Sequence, residues 1–210
     1  MTLTTRRLFT AILLIGLFTM AVRGIADADF WWHLRTGQLI VETGAVPHVD
    51  VFSFTKAGQP WVAHEWLSEV FIYTLYRLGS FPLLIITFAA LIALAFAFVY
   101  VRCDGKPYVA AFTVLLAALA TAPLWDVRPQ MITMLVASIF LFGLDTFHRK
   151  QDWRGIWLLV PLMVLWVNLH SGYVLGLGII AIYLFGEGVR VFAGTFASLS
   201  VNHVVSEANP

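Results

Sequence analysis

Asp27-Ala28-Asp29-Phe30-Trp31-Trp32-His33-Leu34-Arg35 follows directly on the first apolar run of the chain and decides how that run is read. Two acids, two tryptophans and a histidine at the edge of a hydrophobic segment mark the mouth of a membrane. A carboxylate there is costly to desolvate, so it serves either as a structural cap or in a chemical task. The composition agrees with a membrane setting. The chain has 210 residues, 60% apolar and 12% charged, with a mean hydropathy of +0.84. Soluble chains are about 45–50% apolar and about 25% charged, so this is an integral membrane protein. A net charge of +1 with no Lys/Arg run excludes a nucleic-acid surface. Cys103 is the one cysteine, which rules out an intramolecular disulfide and a thiolate metal cluster.

A helical crossing needs roughly 17–25 mainly apolar residues. Six segments read as spans: about 8–25, 81–101, 107–125, 130–147, 155–170 and 173–192. Polar breaks separate them: Arg102 to Pro107, Asp126 to Pro129, His148 to Arg154, and the tight turn His170-Ser171-Gly172. The expected fold is therefore all-α and polytopic. Residues 1–192 form one transmembrane domain, and 193–210 form a polar cytoplasmic tail. With the N-terminus in the cytoplasm, Arg6, Arg7, Arg102, Lys106, Arg149, Lys150, Arg154 and Arg190 all fall inside, as the positive-inside rule asks. Residues 26–80 then form a long extracytoplasmic loop. Arg6-Arg7 and Ala26-Asp27-Ala28 also imitate a cleavable leader. Arg23 between the apolar run and that site fits a leader poorly, so the first segment is read as a retained span.

The loop is too aromatic for a linker. Phe30, Leu34, Gly37 and Val41 recur at helical spacing, which predicts a helix over 30–43 ended by Gly44. Asp29 stands where a helix cap belongs; Asp27 meets no such structural need. A turn-rich stretch through Pro60-Trp61 leads to a second amphipathic helix over 64–78. Trp66, Leu67, Val70, Phe71, Leu75 and Leu78 share one face, while Glu65, Ser68, Glu69, Tyr76 and Arg77 lie mostly on the other. Both helices are read as interfacial, with Glu65 and Glu69 on a solvated face or Glu65 in contact with substrate.

Asp27-Ala28-Asp29-Phe30-Trp31-Trp32-His33-Leu34-Arg35-Thr36-Gly37, His64-Glu65-Trp66-Leu67-Ser68-Glu69, Arg128-Pro129-Gln130 and Trp166-Val167-Asn168-Leu169-His170 together carry a family resemblance. In them the chain resembles the N-terminal membrane part of the C-type glycosyltransferase superfamily. Among its members it looks most like uncharacterised bacterial membrane proteins related to the aminoarabinose and protein mannosyl transferases. The resemblance implies sugar transfer from a polyprenyl-phosphate-linked donor at the extracytoplasmic face of a bacterial inner membrane. It also implies a catalytic acid just after the first span, acting as general base on the acceptor or helping to hold a divalent metal ion, a role that falls on Asp27 or Asp29. Family members usually carry about twice as many spans, so a chain of this length is expected to lack the donor-binding half. That favours the alternative of a non-catalytic membrane subunit within a larger complex.

The remaining candidates are read for substrate. Arg128 could grip a lipid phosphate with two parallel hydrogen bonds, or pair with Asp126 or a headgroup. His33, His48, His64 and His170 all fall in the outer segments. With Asp29 or Glu65 they could hold zinc or manganese, although their spacing fits no compact metal motif. Capping or headgroup contact is the plainer account of each. Trp31, Trp32, Trp61 and Trp66 fit an aromatic belt. Asp145 and Glu187 suit pairs with Arg149 and Arg190, and Gly172, Gly176 and Gly178 suit close helix packing.

Overall fold

The computed structural model describes residues 4–103, 106–150 and 154–207. Asp104 and Gly105, residues 151–153 of the polar break after the fourth expected span, and the last three residues of the expected tail lie outside the described residues. The order is α1 (Thr5–Ala21), α2 (Phe30–Thr43), α3 (Trp66–Arg102), α4 (Pro107–Thr121), α5 (Pro129–Lys150), α6 (Leu159–Leu169) and α7 (Tyr173–Glu207). Short 3-10 turns follow α4 and precede α6. Among the described residues there is no strand, and one isolated bridge joins Val49 to Pro60. The chain divides into two compact units, Met1–Tyr173 and Val174–Pro210, the second continuing helix α7.

Four helices are long and apolar enough to cross a membrane: Trp66–Arg102, Pro107–Leu124, Pro129–Lys150 and Tyr173–Gly194. The other two expected spans are not among these four. Helix α1 has 17 residues, and Gly155–Leu169 is apolar but shorter than a full crossing.

Within the first unit α3 is the hub, with α1, α2, α4, α5 and α6 all packed on it. It is two helices in line. Gly79 (φ −155°, ψ 21°) and Ser80 (φ 54°, ψ −156°) break it where the sequence places a stop before Pro82. Ser80 is the only described non-glycine residue with positive φ, a conformation that costs a residue with a Cβ of order 1–3 kcal/mol. Gly44 (φ 69°) ends α2 in the left-handed region, its N–H bonded to the Ile40 carbonyl at 2.8 Å. Between α2 and α3, residues 48–61 close into a small hairpin through Trp61 N–H to His48 O (2.9 Å) and Asp50 N–H to Gln59 O (2.9 Å). The Asp50 carboxylate is held below its ordinary range. It accepts from the Ser53 hydroxyl and from the backbone N–H groups of Ser53 and Phe52.

The buried faces differ from the apolar stripes in the sequence. On α2 the buried residues are Phe30, His33, Thr36, Gly37 and Ile40, while Val41 is exposed. On the first segment of α3 they are Ser68, Glu69, Ile72 and Tyr73, while Leu78 is exposed. The face expected to be solvated is therefore the one against α2, and Leu67, Val70, Phe71 and Leu75 are only half-buried. In a membrane an outward apolar face costs nothing, so polar groups are the ones that must find protein partners.

The crossing of α2 over α3 is close because Gly37 has no side chain. A Cβ on Gly37 would overlap the Glu69 carbonyl oxygen and lie 2.9 Å from Tyr73 Cβ. Gly37→Ala is therefore expected to destabilise the unit by about 1–3 kcal/mol through overpacking against rigid backbone. The comparison is Gly44→Ala, whose cost comes from its positive φ with nothing near the new methyl. Thermal unfolding in one detergent tests this; only Gly37→Ala should loosen α2, read as faster amide exchange over residues 30–43.

Candidate functional site

Two side-chain clusters form, one where the segment between α1 and α2 meets the turn before α5, the other where α2 and the end of α6 meet the start of α3. The first forms because that segment is pinned by groups far away in sequence. The Arg23 guanidinium donates to the Ala122 and Trp125 carbonyls and lies 6.0 Å from the Trp125 ring centre. Asp126 Oδ2 accepts from the backbone N–H groups of Ala26 and Asp27, each at 2.9 Å. Arg128 then reaches Asp27, with Nη1 to Oδ2 at 2.7 Å. Its other nitrogen, Nη2, stands 3.8 Å from Asp29 Oδ2. So Arg128 pairs with Asp27, and Asp126 serves the backbone. A cavity of about 340 Å³ opens here, walled by Asp27, Asp126, Arg128 and the Pro123–Trp125 turn.

The turn bond expected of Asp29 is made by Asp27. Asp29 starts α2 but makes no side-chain cap bond, and its side chain is 58% exposed. Asp27 Oδ1 instead accepts from the Asp29 N–H at 3.0 Å, and the Asp27 carbonyl accepts from Phe30 N–H at 3.3 Å. The turn into α2 thus hangs on Asp27, whose second oxygen is left facing Arg128.

The second cluster is buried. His33 on α2 faces Glu65, the residue preceding α3, and Glu69 one turn further on. His33 Nδ1 is 3.4 Å from Glu69 Oε1 and 3.6 Å from Glu65 Oε2. All three residues are nearly inaccessible, Glu69 completely so. Glu65 Oε1 turns the other way, 3.2 Å from His170 Nε2 and 3.6 Å from His64 Nε2. His170 arrives there because α6 ends on it in extended backbone. Ser68 Oγ donating to Leu169 O (2.6 Å) and Trp66 Nε1 donating to Asn168 Oδ1 (3.0 Å) dock that end on α3.

A hydrogen-bond chain assigns the tautomer of His170. Trp166 Nε1–H donates to Thr133 Oγ1 at 2.9 Å, which leaves the Thr133 hydroxyl proton for His170 Nδ1 at 2.9 Å. Gly172 N–H points at the same nitrogen, also at 2.9 Å. With Nδ1 accepting twice, the ring proton sits on Nε2 and is donated to Glu65. Burial pushes the His170 pKa down to about 4, with the His64, His33 and Arg128 charges acting the same way. Burial pushes Glu65 above its ordinary value. His33, His64 and Arg128 oppose that shift, and Glu69 adds to it. Gly172 is required by this arrangement, since a Cβ there would come 2.6 Å from Thr133 Oγ1 and 2.7 Å from His170 Nδ1.

Of the seven residues named from sequence, the fold gathers Asp27, Asp29 and Arg128 into one cluster and His33, Glu65 and His170 into the other. His64 stays 55% exposed at the edge of the second, and His48 is exposed outside both. Glu69, Asp126 and Thr133 escaped the reading as site residues. The signal for Glu69 was its place one turn after Glu65, which fixes both carboxylates on one helical face. No family model matches the chain, and neither a curated protein nor a solved structure matches it.

Asp126→Ala strips the acceptor from three backbone N–H groups, those of Ala26, Asp27 and Val127, and is expected to cost about 1–3 kcal/mol. Asp29→Ala removes a long, exposed ion pair and should stay within about 0.5 kcal/mol of the parent. Melting temperatures of the two variants in the same detergent check the ordering.

Proposed function

We propose that the chain is a membrane-embedded sugar transferase of the C-type kind, taking its donor as a polyprenyl-phosphate-linked sugar. In this reading it lies in a bacterial inner membrane with the N-terminus in the cytoplasm. Helices α1 and α6 complete six crossings, and the two clusters face the extracytoplasmic side. The observation that carries the reading is the Asp27–Arg128 pair, 2.7 Å apart on the wall of an open polar cavity. It joins a general base and a phosphate-binding cation, the two groups that glycosyl transfer from a phosphate needs.

The reaction balances on these groups. The acceptor oxygen bonds to the anomeric carbon while its proton passes to the Asp27 carboxylate. The bond from that carbon to the phosphate oxygen breaks, and the phosphate leaves with the electron pair. Arg128 meets the growing charge with two N–H groups in a planar fork, which suits phosphate better than a point charge does. A second feature suits a lipid carrier. An apolar cavity of about 450 Å³, lined by Leu67, Phe71, Leu91, Ile132, Leu165 and Leu169, ends one residue from His170.

The test is transfer by the purified full chain in detergent, supplied with polyprenyl-phosphate-linked hexose or pentose and a mixed glycan acceptor. Asp27→Asn should lower kcat by about 10²–10⁴-fold, the range a positioned general base supplies. Arg128→Lys should chiefly raise the KM for the donor. Parent-level turnover in both variants overturns the reading and leaves the non-catalytic subunit as the account of the chain.

A further inference from the structure

We propose that His33, Glu65 and Glu69 bind one divalent transition-metal ion, zinc or manganese, and that His170 positions Glu65 for it. This goes beyond the sugar-transfer proposal and does not need it. The polar pair on α3 was expected on a solvated face, yet both carboxylates are buried and turned on a single imidazole.

Charge is the first argument. Two carboxylates share one facing nitrogen, Nδ1 of His33, which carries at most one proton. That proton faces Glu69 Oε1, and Glu65 Oε1 has His170 Nε2 at 3.2 Å, which leaves one carboxylate oxygen over. The structure shows the deficit at a named atom: Glu69 Oε2 is buried and has no hydrogen-bond partner. An unpaired carboxylate oxygen in an apolar setting is among the most costly features a fold can hold. A cation bound to His33 and both glutamates removes the deficit with no change of backbone.

Geometry is the second. Ligands on a tetrahedral ion with bonds of about 2.0–2.1 Å lie about 3.4 Å from one another. His33 Nδ1 stands 3.4 Å from Glu69 Oε1 and 3.6 Å from Glu65 Oε2. One donor atom from each of the three residues lies within 4.8 Å of the others, and this is the one such group among the described residues. Those separations are long for hydrogen bonds and short for unrelated charges. Glu69 Oε2 or a water would fill the fourth position.

Orientation is the third. Metal-binding carboxylates are themselves held by outer hydrogen bonds. Glu65 spends Oε1 on the Nε2–H of His170 and presents Oε2 to His33. The Trp166–Thr133–His170 chain fixes that donor before any ligand arrives. Imidazole with two carboxylates suits zinc and manganese, and no thiolate is needed.

The experiment uses the full chain in mild detergent with a histidine-free purification tag. Elemental analysis after loading with Zn2+ or with Mn2+ and desalting is expected to give about one equivalent per chain in at least one arm. Chelation should then lower the melting temperature by about 5–10 °C when the metal had been present at a hundred times its Kd. Glu69→Gln, which keeps shape and loses charge, should hold less than about a tenth of the parent's metal at equal concentration. Its melting temperature should no longer respond to chelator. His170→Gln should retain binding with weakened affinity, about 10–100-fold, which separates positioning from ligation. Absence of both metals from the loaded parent overturns the proposal, as does parent-level metal in a folded Glu69→Gln. If Glu69→Gln fails to fold, Co2+ loading of the parent decides. Intense visible d–d bands of a low-coordinate nitrogen–oxygen site support the proposal, and the pale spectrum of hydrated Co2+ overturns it.

Discussion

The close crossing of α2 over the start of α3 is the contact on which the first unit is built. Gly37 lets the Glu69 backbone come against α2 with no side chain between them. That distance turns the polar side of each helix toward the other, so His33 faces Glu65 and Glu69, and Thr36 and Ser68 are buried as well. In water such an arrangement would be inside out. Here the half-exposed stripe of Leu67, Val70, Phe71 and Leu75 suits lipid. Burying polar groups against protein is the only way to keep them from hydrocarbon.

Once the crossing is set, hydrogen bonds made over long sequence separations place everything else. Asp126 and Arg23 fasten the segment after α1 to the turn after α4, which carries Asp27 to Arg128. Ser68 and Trp66 fasten the end of α6, which carries His170 to Glu65. Two of them, Arg23 on the Ala122 carbonyl and Ser68 on the Leu169 carbonyl, satisfy groups that a helix end leaves unpaired. The two clusters are therefore by-products of how this fold closes its helix ends. Their residues come from elements about a hundred positions apart.

Helix identity was plain in the sequence because local rules set it. Gly44 in the left-handed region, the stop at Gly79-Ser80 before Pro82, and α2 over Phe30–Thr43 follow from cap and turn chemistry that acts within a few residues. Spans were less plain, since α1, at 17 residues, stands at the lower edge of a crossing and α6 is shorter still. The polar side of the second amphipathic helix was expected to face solvent, whereas Glu65, Ser68 and Glu69 are buried. Periodicity separates the two faces of a helix but does not say which neighbour covers the polar one.

By itself the sequence determined a membrane-embedded, all-helical chain, the positions of its turns, and which residues were costly enough to need a purpose. It could list Asp27, Arg128, His33, Glu65 and His170, because a charge or imidazole beside hydrocarbon is conspicuous wherever it falls. Only tertiary structure decided the partners. Arg128 pairs with Asp27 while Asp126 holds backbone, Asp27 takes the turn bond expected of Asp29, and Glu69 leaves its supposed solvated face for the buried cluster. Those outcomes depend on a helix crossing angle and on contacts between distant segments, and no spacing along the chain encodes either.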